Sequence, residues 1–194
     1  MAERVYTTEG IVLKRALRGE ANVAVSLFTK ELGLIQAEAR SARYERSKLR
    51  YGLSLLAHGT FSVVAGKAMF KVIGAERVSS YLPAATPVSA RALAHMSALL
   101  LRLVPQGERQ PTLFGRVQEG FQLMSSEEDQ DVLESVECVL ALRMLHALGY
   151  LPDTEELQEF IGARTVSREF AHALKNRRSE AVRVINASLL ASGL

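Results

Sequence analysis

Hydrophobic periodicity changes once along this sequence, close to residue 80, and the change separates two parts that must fold in different ways. Before it, apolar residues alternate with small or polar ones, as in Val-Ala-Val-Ser-Leu over residues 23–27. Such alternation places one set of side chains on each face of a strand. After Pro83 and Pro87, apolar residues recur every three or four positions, as on one face of a helix. We therefore predict a β domain over residues 1–80 and a helical domain over residues 81–194.

The β part contains five stretches that we predict to be strands, over residues 6–13, 23–28, 35–39, 61–64 and 69–73. Gly10 lies inside the first stretch and predicts a bulge or bend there. Turns are predicted over residues 18–20, 31–33 and 65–68, and the last of these makes a hairpin of the final two strands. Five short strands in fewer than 80 residues favour a small barrel or sandwich, because an open sheet of this size would expose its edges.

Three apolar stripes at helical spacing predict three long helices after residue 87. They consist of Leu93, Met96, Leu100, Leu103 and Val104, then Leu113, Val117, Phe121 and Met124, then Val136, Val139, Leu140, Met144 and Leu148. Capping residues and acids over residues 125–129 suit the start of the third helix, and Gly149 suits its end. We also predict a short helix over residues 153–161 and a last helix from Ser167 onward, with an apolar stripe formed by Val182, Ile185 and Leu189.

Charge is distributed unevenly along the chain. Residues 1–80 carry thirteen Lys and Arg against seven Glu, and residues 81–160 carry five Arg against twelve acids. Residues 161–194 carry six cations against two acids. A basic front, an acidic middle and a basic tail suggest a polyanion-binding module attached to something else. A solvated surface without any partner explains the charges equally well.

The residue types exclude most catalytic and metal-binding classes. Gly66-Lys67 is followed by Ala68, where a phosphate-binding loop needs a hydroxyl residue, and the four histidines are scattered without ligand spacing. The single cysteine, Cys138, lies on an apolar helix face and is predicted to be buried and structural. No apolar run approaches the roughly 18 residues of a membrane span, and no secretory signal is visible. We predict a cytoplasmic protein with no catalytic residues, no metal and no cofactor.

The strongest local feature is a basic run from Arg40 to Arg50, with five cations and one glutamate. Small and hydroxyl residues separate the cations, as suits a loop or short helix lying along a phosphate backbone. An aromatic residue within the run offers a face for base stacking, worth about 1–3 kcal/mol per base. Three more cations fall in the first predicted connection. We therefore predict a nucleic-acid groove, and a solvated basic loop is the alternative. The groove would be formed by Lys14, Arg15, Arg18, Arg40, Arg43, Tyr44, Arg46, Lys48 and Arg50.

Several motifs occur in an order that resembles one bacterial family. They are Tyr-Thr-Thr-Glu-Gly-Ile-Val-Leu-Lys over residues 6–14, Gly-Glu-Ala-Asn over 19–22, Leu-Phe-Thr-Lys-Glu-Leu-Gly over 27–33 and Ser-Lys-Leu-Arg over 47–50. In the second half, Leu-Arg-Met-Leu over residues 142–145 precedes Leu-Gly-Tyr-Leu-Pro-Asp over 148–153. Together these motifs resemble RecO, the family of bacterial recombination mediators, across most of the chain.

The resemblance implies an α+β fold, with an N-terminal five-stranded OB-fold barrel followed by an all-helical C-terminal domain. It also implies binding to single- and double-stranded DNA, annealing of complementary strands and loading of a recombinase onto DNA coated by single-strand-binding protein. The partners would be RecR and the acidic C-terminal tail of single-strand-binding protein, and the protein would be nucleoid-associated. Two other classes stay open, namely an OB-fold interaction scaffold and an RNA-binding protein without mediator activity.

The sequence departs from the family pattern in one place. Many members carry a four-cysteine zinc module soon after the Leu-Gly-Tyr-x-Pro-Asp motif, and its first two cysteines would fall at about Leu157 and Phe160. A structural zinc needs about four nitrogen or sulfur ligands, and Cys138 is the only cysteine of this chain. We therefore predict that Leu157 and Phe160 are buried in an apolar core in place of a zinc site.

Overall fold

A computed structural model describes residues 4–151, 157–163 and 165–192 of the chain. It contains two compact units, each with its own core. The first consists of Met1–Pro83 with Pro105–Phe114, and the second of Ala84–Val104 with Gly115–Leu194. The domain boundary after residue 80 stays a prediction.

The first unit is a closed five-stranded barrel. Its strands follow the spatial order β1-β2-β3-β5-β4, and all neighbours are antiparallel except β3 and β5. This arrangement, followed by helices, confirms the predicted α+β fold class. The strands are β1 (Val5–Arg18), β2 (Asn22–Thr29), β3 (Gly33–Ala39), β4 (Ala57–Val64) and β5 (Phe70–Ser80).

The bulge predicted at Gly10 is wrong. Gly10 pairs in regular register with Thr29 on β2 and with Gly59 on β4, and the irregularity in β1 lies later, between Val12 and Lys14. Glycine at position 10 is required by close packing instead. A Cβ there would lie 3.1 Å from Phe61 Cδ2 and 3.3 Å from Thr29 Cγ2, so a side chain would press on the barrel core.

Strand β1 extends five residues beyond its predicted end and carries Lys14, Arg15 and Arg18 with it. These cations therefore lie on a strand and not in a connection, which corrects the prediction. The end of β1 and the start of β2 form an edge hairpin, called here the ribbon: residues 14–18 pair with β2 only, whereas β2 also pairs with β3 from Val23 onward. Every β1 side chain from Lys14 to Arg18 is exposed. Where neither face of a strand is covered, the period-two pattern that predicts strands disappears.

A stretch after α2 (Pro87–Leu103) runs beside β3 and completes the first unit. The Gly107 N–H donates to the Leu34 carbonyl at 2.9 Å, and the ring of Phe114 packs 5.5 Å from that of Phe28. The sequence gives no sign of this return, because residues 105–110 contain neither a strand nor a helix pattern.

The second unit is helical, and α4 is its centre. Besides α1 (Leu49–Gly52) of the barrel and α2, the helices are α3 (Pro111–Ser126), α4 (Gln130–Ala147), α5 (Gln158–Gly162), α6 (Arg168–Leu174) and α7 (Arg178–Ala191). Helix α4 contacts α2, α5, α6 and α7. None of the described helices combines the length and the apolar character that crossing a membrane requires.

Capping residues define the ends of the helices as the sequence predicted, except that residues 125 and 126 end α3 and do not begin α4. The Asp129 carboxylate accepts from the backbone N–H groups of Asp131 and Val132 and begins α4. Gly149, at φ +76°, follows the end of α4. The Ser167 hydroxyl caps α6 by accepting from the Phe170 N–H.

The last predicted helix differs from the structure. It is interrupted by a 3₁₀ turn over Lys175–Arg177, and the predicted apolar stripe is not its buried face, because Val182 is 42% exposed. Helix α7 packs through the small residues Ala181 and Ser188. Of the short helix predicted over residues 153–161, residues 153–156 lie outside the described residues, and α5 covers the end of the range.

Candidate nucleic-acid interface

The structure brings the two predicted basic segments together at the β1–β2 turn. The Arg43 N–H donates to the Ala21 carbonyl at 3.1 Å, and the Arg43 guanidinium donates to the Glu20 carbonyl at 2.6 Å. The Ser41 N–H donates to Asn22 Oδ1 at 3.0 Å. These bonds hold the segment between β3 and β4, called here the basic loop (residues 40–50), against the ribbon formed by β1 and β2.

All nine predicted site residues are exposed. Within the part of the chain that the structure describes, the one carboxylate that pairs with any of their charges is Glu38, 3.9 Å from Arg18 Nε. The basic surface, meaning the ribbon cations Lys14, Arg15 and Arg18 with the basic loop, thus presents charges that the protein itself hardly compensates. Such charges are available to phosphate groups and attract them over about 8–10 Å at physiological salt.

The basic tail behaves differently. Lys175 Nζ lies 2.7 Å from Asp131, Arg178 lies 3.2 Å from Asp131 and 2.9 Å from Glu134, and Arg177 lies 2.8 Å from both Glu159 and Glu180. The acidic middle of the sequence is therefore the ion-pair partner of its basic tail, within the helical unit. Cations that are already paired have less to gain from phosphate, so the geometry favours the barrel over the tail as the nucleic-acid surface.

Two exposed tyrosines accompany the basic loop, one within it and one directly after it. Tyr44 is 61% exposed, as base stacking requires, and Tyr51 on α1 is 78% exposed with the Arg50 guanidinium 5.7 Å from its ring centre. Sequence reasoning missed Tyr51 because the basic run was considered to end at Arg50. The signal that could have found it is the adjacent position of a second aromatic residue in the same cationic segment.

The outer face of the barrel continues the surface beyond the ribbon. The Arg18 guanidinium donates to Met69 Sδ at 3.3 Å, which connects the ribbon with the β4–β5 turn. Beside that turn lies a slot of about 270 Å³, bounded by β3 and the return stretch and lined by Gln36, Lys67, Phe70 and Gln106 among others. Lys67 is a cation that the predicted site did not include, because the pattern assigned it to a simple hairpin turn.

The described residues contain no cluster of three or more metal-ligating side chains. Cys138 is buried, and burial raises the pKa of its thiol to about 11, so the thiol stays protonated and is a poor nucleophile at neutral pH. The basic surface itself offers cations and exposed aromatic rings, that is, charge and stacking.

Comparison with known proteins agrees with this arrangement. Residues 1–81 match the family model described as recombination protein O N terminal, and residues 87–159 match the one described as recombination protein O C terminal. The chain belongs to the RecO family. The barrel is thus the OB-fold domain of the family, and the helices are its C-terminal part.

Curated relatives carry the name DNA repair protein RecO. That of Dehalococcoides mccartyi is 30% identical over 155 residues, which are 78% of this chain and 59% of the relative. That of Heliobacterium modesticaldum is 30% identical over 150 residues, 77% of this chain and 54% of the relative. The Synechocystis protein is 31% identical over 147 residues, 75% of this chain and 53% of the relative. The chain spans between about half and three-fifths of the length of these relatives.

The zinc module that many RecO members carry does not fit the residues of this chain. Leu157 is 1% exposed and Phe160 is 2% exposed, which confirms the predicted burial of both. Apolar side chains thus occupy the positions where the first two cysteine ligands would fall, and Cys138 is the only cysteine.

A buried arginine organises this part of the RecO fold. Arg143 on α4 is 0% exposed, and it donates to the carbonyls of Phe160 at 2.9 Å, Ala163 at 2.8 Å and Thr165 at 3.3 Å. Burial lowers the pKa of Arg143 to about 10, which leaves it charged at neutral pH. Its guanidinium also lies 5.7 Å from the ring centre of Phe170. Arg143 thereby holds the chain on both sides of the connection between α5 and α6.

Proposed function

We propose that this RecO-family chain is a DNA-binding recombination mediator that acts in DNA repair without catalysing a chemical reaction. The observation that carries the proposal is the contrast between two sets of cations. Those of the basic surface have one carboxylate partner, Glu38 beside Arg18, among the described residues, whereas the tail cations Lys175, Arg177 and Arg178 are ion-paired. The names of the relatives support DNA repair as the process.

The basic surface would bind the phosphate backbone and release condensed counterions, so affinity falls steeply as salt rises. Phosphate contacts carry no sequence information, which suits a protein that must act on any DNA. Stacking on Tyr44 would add affinity for unpaired bases. Annealing would follow because neutralised phosphates on two complementary strands repel each other less.

Partners and place of action rest on family membership. We propose that the chain binds single- and double-stranded DNA, RecR and the C-terminal tail of single-strand-binding protein, and that it helps to load recombinase in the cytoplasm at the nucleoid. Adding purified RecR and single-strand-binding protein to an annealing and loading assay tests this part. Unchanged loading in the presence of this chain would contradict it.

The central experiment is a salt titration of affinity for labelled single-stranded DNA. The variant replaces Arg40, Arg46 and Lys48 by Ala; Arg43 stays, because its hydrogen bonds to the β1–β2 turn make it structural. Each lost contact flattens the log–log salt dependence by about 0.7 for single strands, so the slope should fall by roughly two.

A matched control changes net charge by the same amount in the helical unit. Arg91, Arg102 and Arg183 are exposed and have no ion-pair partner among the described residues, and their replacement by Ala should leave the slope unchanged. Equal losses in both triple variants would show that net charge alone controls binding. An unchanged slope in the loop variant would remove the proposed site, and stronger competition by RNA than by DNA would favour the RNA-binding alternative.

A further inference from the structure

The end of the β1–β2 ribbon exposes a leucine within the basic surface. Leu17 is 60% exposed, although its cross-strand partner Val23 is 1% exposed and belongs to the barrel core. It lies two residues before the tight turn at Gly19, whose φ is +60°. Leu17 is therefore an exposed apolar group on an edge strand, held at the tip of the hairpin that joins β1 to β2.

Cations surround this leucine in sequence and on the ribbon. Arg15 and Arg18 are both exposed, and Arg43 contacts the turn from the basic loop. A surface of this charge attracts nucleic acid, in which the phosphates are outside and the apolar surface is the stack of bases. When the neighbouring cations bind phosphates, the apolar surface of DNA that Leu17 can contact favourably is therefore the stack of bases.

The tip is also braced. Three hydrogen bonds from the basic loop fix the turn and the start of β2, namely those from the Arg43 N–H, the Arg43 guanidinium and the Ser41 N–H. The Asn22 side chain in turn donates to Glu38 Oε1 on β3 at 3.3 Å. A braced tip loses little conformational freedom on binding, so the favourable contacts are not offset by ordering of the ribbon.

We propose that Leu17 is a wedge that inserts between bases where a DNA duplex meets a single strand. Proteins that insert Leu, Phe or Ile at a base step unstack it and gain contact surface in exchange. The junction is the favoured place because its outermost base pair has a stacking neighbour on one side only. This inference rests on the proposed function and adds a structural preference to it, namely for junctions over plain single strands.

The test uses a forked DNA with 2-aminopurine in the outermost base pair of the duplex, because unstacking this base raises its fluorescence. The wild-type protein should raise the fluorescence, and Leu17→Ala should not. Leu17→Ala should also weaken binding to the fork about tenfold, the scale of the apolar burial that is lost. Its affinity for plain single strands should stay within about twofold, because phosphate contacts dominate there.

Two further variants make the result specific. Leu17→Met keeps an apolar wedge and should preserve the fluorescence increase. Leu190→Ala removes a leucine that is 80% exposed on α7 of the helical unit. It should leave both the fluorescence increase and the affinity for the fork unchanged. A fluorescence increase that survives Leu17→Ala overturns the wedge, as does an equal loss of affinity for forks and single strands. If the wild-type protein binds none of these DNAs, the proposed function itself fails.

Discussion

At the scale of single residues, a change at Tyr44 distinguishes the contribution of base stacking to DNA affinity from the contribution of charge. Tyr44 is exposed within the basic loop, and replacing it by Ala should weaken single-strand binding by about 1–3 kcal/mol, because one stacked base is lost. The slope of log affinity against log salt should hardly change, since stacking releases few ions. Fluorescence anisotropy at several salt concentrations measures both quantities. Tyr44→Phe keeps the ring and should bind as the wild type does; a flattened slope in Tyr44→Ala would contradict the stacking role.

Arg143 is the residue whose loss should damage the fold most directly. Replacing it by Met would leave the buried carbonyl of Phe160 and the half-buried carbonyl of Ala163 without their donors, and an unsatisfied buried group costs about 1–3 kcal/mol. We expect the free energy of unfolding, measured with urea, to fall by about 3 kcal/mol.

Two comparisons test the origin of that loss. Arg143→Lys keeps the charge but not the planar fork of donors, so it should recover little of the stability. Arg102→Met on α2 changes an exposed arginine and should stay within about 0.5 kcal/mol of the wild type. If Arg143→Lys were fully stable, charge and not directed hydrogen bonding would be what the site needs.

The turn that enters β3 shows how an element depends on a distant stretch of chain. Gly33 has φ +67°, and a Cβ there would collide with the Glu108 backbone of the return stretch. Gly19 has a similar φ of +60° but no atom within 4 Å of its ideal Cβ position. The two glycines therefore share a left-handed backbone, which would strain any other residue, and differ in packing.

This difference predicts unequal effects of the same substitution. Gly19→Ala should lower the free energy of unfolding by about 1 kcal/mol, because an L-residue disfavours a left-handed backbone. Gly33→Ala should lower the free energy of unfolding by at least about twice as much, because overpacking against the return stretch adds about 1–3 kcal/mol of destabilisation. Urea unfolding of both variants checks the prediction, and equal losses would show that the return stretch moves aside easily.

The distribution of charge is the property of the whole molecule that bears most on function. Asp131 at the start of α4 has its pKa held below the usual value, first by a hydrogen bond from Lys175 and then by Arg178. Through this pairing the acidic and basic parts of the helical unit neutralise each other. The net positive charge of the protein is thereby concentrated on the OB-fold barrel.

Acid should weaken this pairing in a defined direction. A carboxylate with a lowered folded-state pKa stabilises the protein fully above its ordinary pKa, near 4, and the contribution disappears as pH falls through the folded-state value. Asp131→Asn should therefore lower stability at pH 6 and flatten its decline towards pH 3. Circular dichroism of urea unfolding at each pH measures this. Glu128→Gln, an exposed neighbour without an ion pair among the described residues, is the control and should keep the wild-type profile.

Local patterns in the sequence determined the classes of structure and the approximate positions of most elements, whereas β1, β4 and β5 each extend four to seven residues beyond a predicted end. Alternation over residues 23–27 predicted β2, stripes around Met96 and Val139 predicted α2 and α4, and Gly149 predicted the end of α4. These features depend on neighbours within a few positions, where strand and helix geometry fixes which side chains share a face. The basic loop was predicted in the same way, because a run of cations needs no tertiary information to be recognised.

Tertiary structure alone decided which of these pieces act together. The pairing of Arg178 with Asp131 joins residues 47 positions apart, and the contact between Gly33 and Glu108 joins residues from two stretches with different patterns. The exposure of Leu17 likewise depends on the end of β1 continuing past its last pair with β4, which is Ile11 with His58. No local pattern encodes such contacts, because they depend on how the chain returns to itself. For that reason the cations of the basic surface, which have almost no carboxylate partner among the described residues, could be distinguished from the ion-paired cations of the tail only in the folded molecule.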